Sequence, residues 1–170
     1  ETVSGLLLKS TVYLYDGSPF YPNAEVLWSF VDSEKINFMG VSAKYIDALS
    51  KENINVIGKY KLKNLETIGS TGSPLSHESF DYIYTNVKKD VLVASLSGGT
   101  DIVGCFIGGN PLSMVRRGEI QGPILGMDVH VYDENGNSIK NEKGELVCIK
   151  SFPSMPLFFW NDNNNEKYYD

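Results

Sequence analysis

Cysteine and histidine are scarce in this 170-residue chain: Cys105 and Cys148, His77 and His130. They lie far apart, without metal-ligand spacing, so no zinc centre is expected. Both cysteines sit in apolar runs, Val103-Gly104-Cys105-Phe106 and Leu146-Val147-Cys148-Ile149. They read as reduced, buried thiols acting as small hydrophobes. No apolar run approaches the roughly 20 residues that span a bilayer, which argues against a membrane partner. A basic start before an apolar core is also missing, so no secretory signal is read. Positive charge is in deficit, 15 Lys and Arg against 21 Asp and Glu for a net −6, which argues against a nucleic-acid face. A cytoplasmic location fits this composition. The chain opens at Glu1 on an apolar segment and stops in the polar stretch 163–170 with no closing element. Both ends read as those of a piece cut from a larger protein.

What is present suffices for one globular core: 42% apolar and 21% charged residues. Leu6 to Tyr15 is predicted as a strand closed by the turn cluster Asp16-Gly17-Ser18-Pro19. A helix follows from Asn23, its cap, with Val26, Leu27, Phe30 and Val31 inward. Ile36 to Val41 reads as a strand buried on both faces. Ser42 caps a helix that turns Tyr45, Ile46 and Leu49 inward. Residues 53–63 form a connector, and Leu65 to Ile68 a short strand entering the loop Gly69-Ser70-Thr71-Gly72-Ser73-Pro74. Ser76 caps a third helix with Phe80, Ile83, Tyr84 and Val87 on one face. Val91 to Leu96 is a further buried strand leading into Ser97-Gly98-Gly99-Thr100-Asp101.

This alternation predicts an α/β fold, a parallel sheet with helices on both faces over residues 1–126. From 127 to 170 the pattern turns to β. Met127 to Tyr132 alternates, Asn135-Gly136 is a hairpin signal, and Gly144 to Lys150 is strand-like, which together predict a partial β-barrel subdomain.

Two loops follow strands, at the edge where ligands bind in parallel sheets. In Ser97-Gly98-Gly99-Thr100-Asp101 the glycines admit close backbone approach, Thr100 offers a hydroxyl to a phosphate oxygen, and Asp101 is a hard oxygen ligand for Mg²⁺. A glycine turn with a capping Asp fits the same residues. Gly69 to Pro74 could cradle a flat ring or simply turn the chain. No Walker loop is present. Arg116-Arg117 reads as a solvated pair; Phe38, Met39 and Phe158-Phe159-Trp160 read as core.

Ser97-Gly98-Gly99-Thr100-Asp101 resembles the aromatic-Gly-x-Thr-Glu motif of adenylate-forming enzymes. Gly144-Glu145-Leu146 resembles their later Gly-Glu-Leu, and Gly72-Ser73-Pro74 their adenine-side loop. Further stretches narrow the likeness: residues 15–22, Ser42-Ala43-Lys44-Tyr45, 70–75, 97–103, Gly108-Gly109-Asn110-Pro111, 117–121 and Phe159-Trp160-Asn161-Asp162. In order along the whole chain, they are similar to the acetoacetyl-CoA synthetase family.

That resemblance implies a ligase that converts acetoacetate, ATP and CoA to acetoacetyl-CoA, AMP and pyrophosphate. It implies an adenine site at Gly72, Ser73 and Pro74, further nucleotide-binding positions at Ser97 and Gly99, and an α-phosphate contact at Thr100. It also implies Mg²⁺ on Asp101, where relatives carry Glu, and an acid pocket at Thr71 and Gly98. Ser97 stands where relatives have an aromatic ring. Gly98 stands where acetyl-CoA synthetases have a Trp, so room is left for a longer acid. The phosphate loop of the N-terminal lobe, the ribose-binding Asp and the C-terminal domain with its catalytic Lys are not in these residues, so the chain alone is expected to be inactive. A ligase for another short acid, or a non-catalytic nucleotide-binding module, are the competing readings.

Overall fold

Serine caps set the first unit's geometry. In this computed structural model, which describes the backbone of residues 2–170 and side chains from residue 4 onward, Ser42 Oγ accepts from Tyr45 N at 3.2 Å and starts helix α3 (Ala43–Lys51). Ser76 Oγ accepts from Ser79 N at 3.1 Å and starts α4 (His77–Tyr82). Each cap satisfies an amide that the first turn would otherwise leave unpaired. Around them run α1 (Thr2–Leu7), α2 (Val26–Ser33), β1 (Phe38–Ser42), β2 (Thr67–Thr71) and β3 (Leu92–Ser95). The strands form a parallel sheet in the order β1-β2-β3, with Met39 opposite Ile68 and Ile68 opposite Val93.

The chain separates into two compact units. One holds residues up to Ser97 together with Ile107–Gly122; the other holds Gly98–Phe106 and Pro123–Asp170. The second therefore claims a segment on the N-terminal side of residue 126, where composition placed the boundary.

The first unit's core joins Trp28 and Val31 of α2, Ile46 and Leu49 of α3, Ile68 and Val93 of the sheet, and Phe80 and Ile83 beyond them, all at most 3% exposed. Burying each such side chain contributes about 1.5–3 kcal/mol before entropy is charged against it. After α4 the chain widens into a π-helical turn, Ile83–Val87. Lys88 N reaches back to Ile83 O at 2.9 Å. Phe80, Ile83 and Val87 point inward as their spacing predicts, and Tyr82 joins them. The connector 53–63 is irregular but anchored. Tyr82 Oη donates to Ile54 O (2.7 Å), Asp32 Oδ1 accepts from Leu62 N (2.8 Å), and Lys88 Nζ donates to Leu62 O (2.9 Å) and Leu65 O (2.6 Å).

Several sequence expectations are corrected. Leu6 to Tyr15 is not a strand: α1 ends at Leu7, and residues 8–15 have no regular structure. A strand exists only through a ladder partner. Here Leu8 N, Lys9 N and Ser10 N bond instead to Ser4, Leu6 and Gly5 carbonyls. The following tyrosines lie on α2, where Tyr13 meets the Phe30 ring edge-on at 5.5 Å. Ile36 to Val41 is not buried on both faces. β1 alternates, with Met39 in and Phe38 46% exposed. Helices α3 and α4 pack against each other, and α2 joins the same core through Trp28 and Val31. β2 starts two residues later than predicted and keeps Gly69 inside it. The Phe38 ring lies so close that a Cβ at Gly69 would stand 2.7 Å from its Cζ.

After β3, β4 (Ser97–Gly99) leads into β5 (Gly104–Gly108) through the turn 100–103. After the short β6 (Gly122–Pro123), Ile124 N donates to Phe106 O at 3.0 Å. β7 (Val129–Tyr132) is the centre of an antiparallel sheet β8-β7-β9, with β8 at Ser138–Ile139 and β9 at Glu145–Cys148. The Asn135-Gly136 turn forms as predicted. Gly136 is left-handed at φ 79°, and Asp133 Oδ1 accepts from the amides of Asn135 and Asn137. Phe158, Phe159 and Trp160, expected as core, are 60%, 39% and 87% exposed. The tail does close on an element, α5 (Glu166–Tyr169), whose first amides are held by the nearly buried Asp162. Cys105 and Cys148 are half-buried.

Candidate functional site

Parallel pairing decides where the first loop emerges. Ser70 lies opposite Ser95, and Leu96 N donates to Ser70 O at 2.8 Å. The carboxyl ends of β2 and β3 therefore share one edge of the sheet. Thr71, Gly72, Ser73 and Pro74 leave from β2, and Ser97 leaves beside them after β3. Thr71, Gly72, Pro74 and Ser97 are exposed and Ser73 is half-buried. Gly72 is left-handed at φ 87° with open space where a Cβ would stand. Backbone conformation, not crowding, calls for glycine there.

Gly98, Gly99, Thr100 and Asp101 belong to the second unit and are all exposed. The hairpin they open is closed tightly. A Cβ on Gly98 would lie 2.2 Å from Gly104 O and 2.4 Å from Cys105 Cα, whereas one on Gly99 would meet only Ile102 Cγ1 at 3.9 Å. Glycine at 98 is thus required by the approach of one backbone to another. Any side chain is excluded here, not an indole alone. Val103 N donates to Thr100 O at 3.1 Å across the turn, Ile102 points inward at 7% exposure, and Val103 points outward in the left-handed region at φ 50°. Nothing in the sequence flagged Val103, because a Val gives no local signal for such a conformation.

No group of three His, Cys, Asp or Glu side chains among the described residues could cage a metal ion. Mg²⁺ needs no such cage, since one carboxylate plus substrate phosphates can hold it. The exposed Asp101 carboxylate, engaged by no hydrogen bond or ion pair among the described residues, fits that mode.

Other polar groups are committed to structure. Arg117 pairs with Asp81 at 2.6 Å on the surface. Asp128 accepts from Lys150 Nζ (2.8 Å) and faces His130 Nε2 (2.9 Å). The lysine first, then the histidine, holds the Asp128 carboxyl below its usual range. A shallow hollow of about 420 Å³ is lined by Phe158, Phe159, Trp160 and the Asn-rich turn after them. None of the residues singled out as binding from sequence lines it.

No protein-family model matches the chain. It is 52% identical over 97% of its length to an acetoacetyl-coenzyme A synthetase from Rhizobium meliloti. Among solved structures, an acetoacetyl-CoA synthetase from Streptomyces lividans superposes on 99% of the chain with a TM-score of 0.91 and 37% identity. A benzoate CoA ligase from Burkholderia xenovorans matches 96% of it with a TM-score of 0.76 at 16% identity, a likeness of fold alone. The chain spans 25% of the Rhizobium protein, 26% of the Streptomyces chain and 32% of the Burkholderia chain. By sequence and by fold, the chain belongs to the acetoacetyl-CoA synthetase family and corresponds to about a quarter of the length of those relatives.

Proposed function

We propose that this chain carries the nucleotide-facing part of an ATP-dependent ligase that joins acetoacetate to coenzyme A. In the first half-reaction a carboxylate oxygen of the acid attacks the α-phosphorus of ATP, and the bond to pyrophosphate breaks. In the second the CoA thiol attacks the carbonyl carbon of acetoacetyl-AMP, and AMP leaves. Gly72, Ser73 and Pro74 flank the adenine, and Ser97 and Gly99 contribute to the nucleotide site. The Thr100 hydroxyl donates to an α-phosphate oxygen, and Asp101 holds Mg²⁺, which neutralises phosphate charge. Thr71 and Gly98 line the acid pocket. The sheet β8-β7-β9 is part of a β-barrel subdomain. The remainder of the enzyme, with its phosphate loop and catalytic Lys, comes from other parts of a longer chain.

One observation carries this reading. Within a chain 52% identical to a named acetoacetyl-CoA synthetase, both glycine-bearing segments are largely exposed and follow the carboxyl ends of adjacent parallel strands. The test is acetoacetate-dependent ATP–pyrophosphate exchange by the full-length synthetase. Asp101→Asn is expected to lower it roughly a hundredfold or more, and the 170-residue chain alone to show none. Exchange that ignores acetoacetate, or that survives Asp101→Asn, overturns the assignment.

A second reading is favoured by the Gly98 geometry. Because backbone closure already demands glycine there, Gly98 does not by itself select a four-carbon keto acid. A ligase for another short acid fits the same residues, and a panel of acids on the full-length enzyme separates the two.

A further inference from the structure

Among the described non-glycine residues at positive φ, Val103 is β-branched; the others are Lys, Asn or Leu. Left-handed backbone is least tolerable for a branched side chain. Buried Leu62, at φ 45°, is offset by packing at 2% exposure. Val103 has no such compensation in this chain, for its side chain is 60% exposed. Nor is glycine foreign to the turn. Gly98, Gly99 and Gly104 surround it, yet none of these three is left-handed. The one position of the turn where glycine would relieve the backbone carries Val instead. It lies two residues after Asp101, and its amide closes the turn onto Thr100 O. Conformational cost retained beside candidate reacting groups points to a use for the side chain itself.

We propose that Val103 is a specificity residue of the acid site, its isopropyl group held out on the hairpin turn to touch the carbon chain of the bound carboxylic acid. The proposal rests on the ligase reading above. An exposed apolar group suits the aliphatic part of a short acid, and it offers nothing to phosphate or magnesium. Its size then sets how long a chain the site accepts.

The test uses the full-length synthetase with Val103→Ala and Val103→Ile, and a series of straight-chain acids from two to six carbons alongside acetoacetate. Val103→Ala is expected to raise KM for acetoacetate about tenfold and to shift preference toward longer acids, while KM for ATP stays within about twofold. Val103→Ile is expected to shift preference toward two- and three-carbon acids. Val103→Gly separates side chain from backbone. It should match the alanine variant in acid KM and should slow amide exchange across residues 98–106, because the left-handed position is relieved. Chain-length preference unchanged in both the alanine and isoleucine variants overturns the proposal, as does a KM for ATP that rises in step with that for the acid. If the wild-type enzyme shows no acid-dependent exchange at all, the ligase reading falls and takes this one with it. If the wild type is active and only the variants behave alike, the role of Val103 alone is refuted.

Discussion

Ser70 and Ser95 stand opposite each other on neighbouring parallel strands, both buried, and the Ser70 hydroxyl has no hydrogen-bond partner among the described residues. The pair closes the sheet immediately before the two loops that leave its carboxyl edge. A buried, unpaired hydroxyl costs about 1–3 kcal/mol relative to its state in water.

Ser70→Ala removes that cost and leaves a void no larger than one oxygen. Its expected effect is a gain of about 1 kcal/mol in the first unit's stability, read by denaturant unfolding. A loss of stability would show that the hydroxyl is satisfied, by a water for example.

Gly98 and Gly99 should part company on mutation. A methyl at 98 meets the carbonyl of Gly104 at 2.2 Å, and a methyl at 99 meets one side-chain carbon at 3.9 Å. Gly98→Ala should therefore cost at least about 2 kcal/mol and open the hairpin 98–106 to amide exchange, while Gly99→Ala should stay within about 1 kcal/mol. Equal effects at the two positions would contradict the hairpin geometry.

Lys88 is a structural lysine. Its ammonium sits in a side chain only 12% exposed and donates to the carbonyls of Leu62 and Leu65, tying the connector to the end of the π turn. Lys88→Met keeps the stem and deletes both bonds. A loss of about 1–3 kcal/mol is expected in thermal or denaturant unfolding, with faster exchange confined to residues 54–65. Unchanged stability would mean that water replaces the ammonium without penalty.

The second unit should be acid-sensitive. Asp128 is held below the usual carboxylate range by Lys150 first and His130 second. Asp133 is held below it chiefly by the amide and side chain of Asn137. Both bind protons more weakly folded than unfolded, so their contribution is complete above the unfolded value and fades as pH falls through the folded one. Exchange protection in residues 128–150 should weaken from about pH 4 downward. Asp128→Asn should flatten that dependence without altering behaviour near neutrality through any carboxylate titration. A wild-type profile that stays level between pH 5 and 2 would exclude the linkage.

Much of the local structure was legible. Ser42 and Ser76 cap where a short hydroxyl precedes a helical stripe, because the cap needs only its own next few amides. Asn135-Gly136 turns because one residue tolerates left-handed backbone. The candidate site was legible as motifs, though Thr71 still belongs to β2 and Ser97 to Gly99 form the short strand β4 rather than a loop. Their geometry was not. The glycine demand at 98 comes from Gly104 and Cys105, six and seven residues away in sequence, and the outward Val103 from how the hairpin returns.

What the sequence determined by itself is therefore whatever depends on a few consecutive residues: caps, turns, the order of elements and the family likeness. The tertiary structure alone decided the rest. Among the described residues it gave Leu6 to Tyr15 no ladder partner and left Phe38 of β1 exposed. It also left Phe158 to Trp160 uncovered and placed a branched side chain in a left-handed turn. The physical reason is that hydrogen-bond ladders and apolar burial are relations between distant segments. A stretch can be apolar and β-branched and still find no strand or surface to complete it.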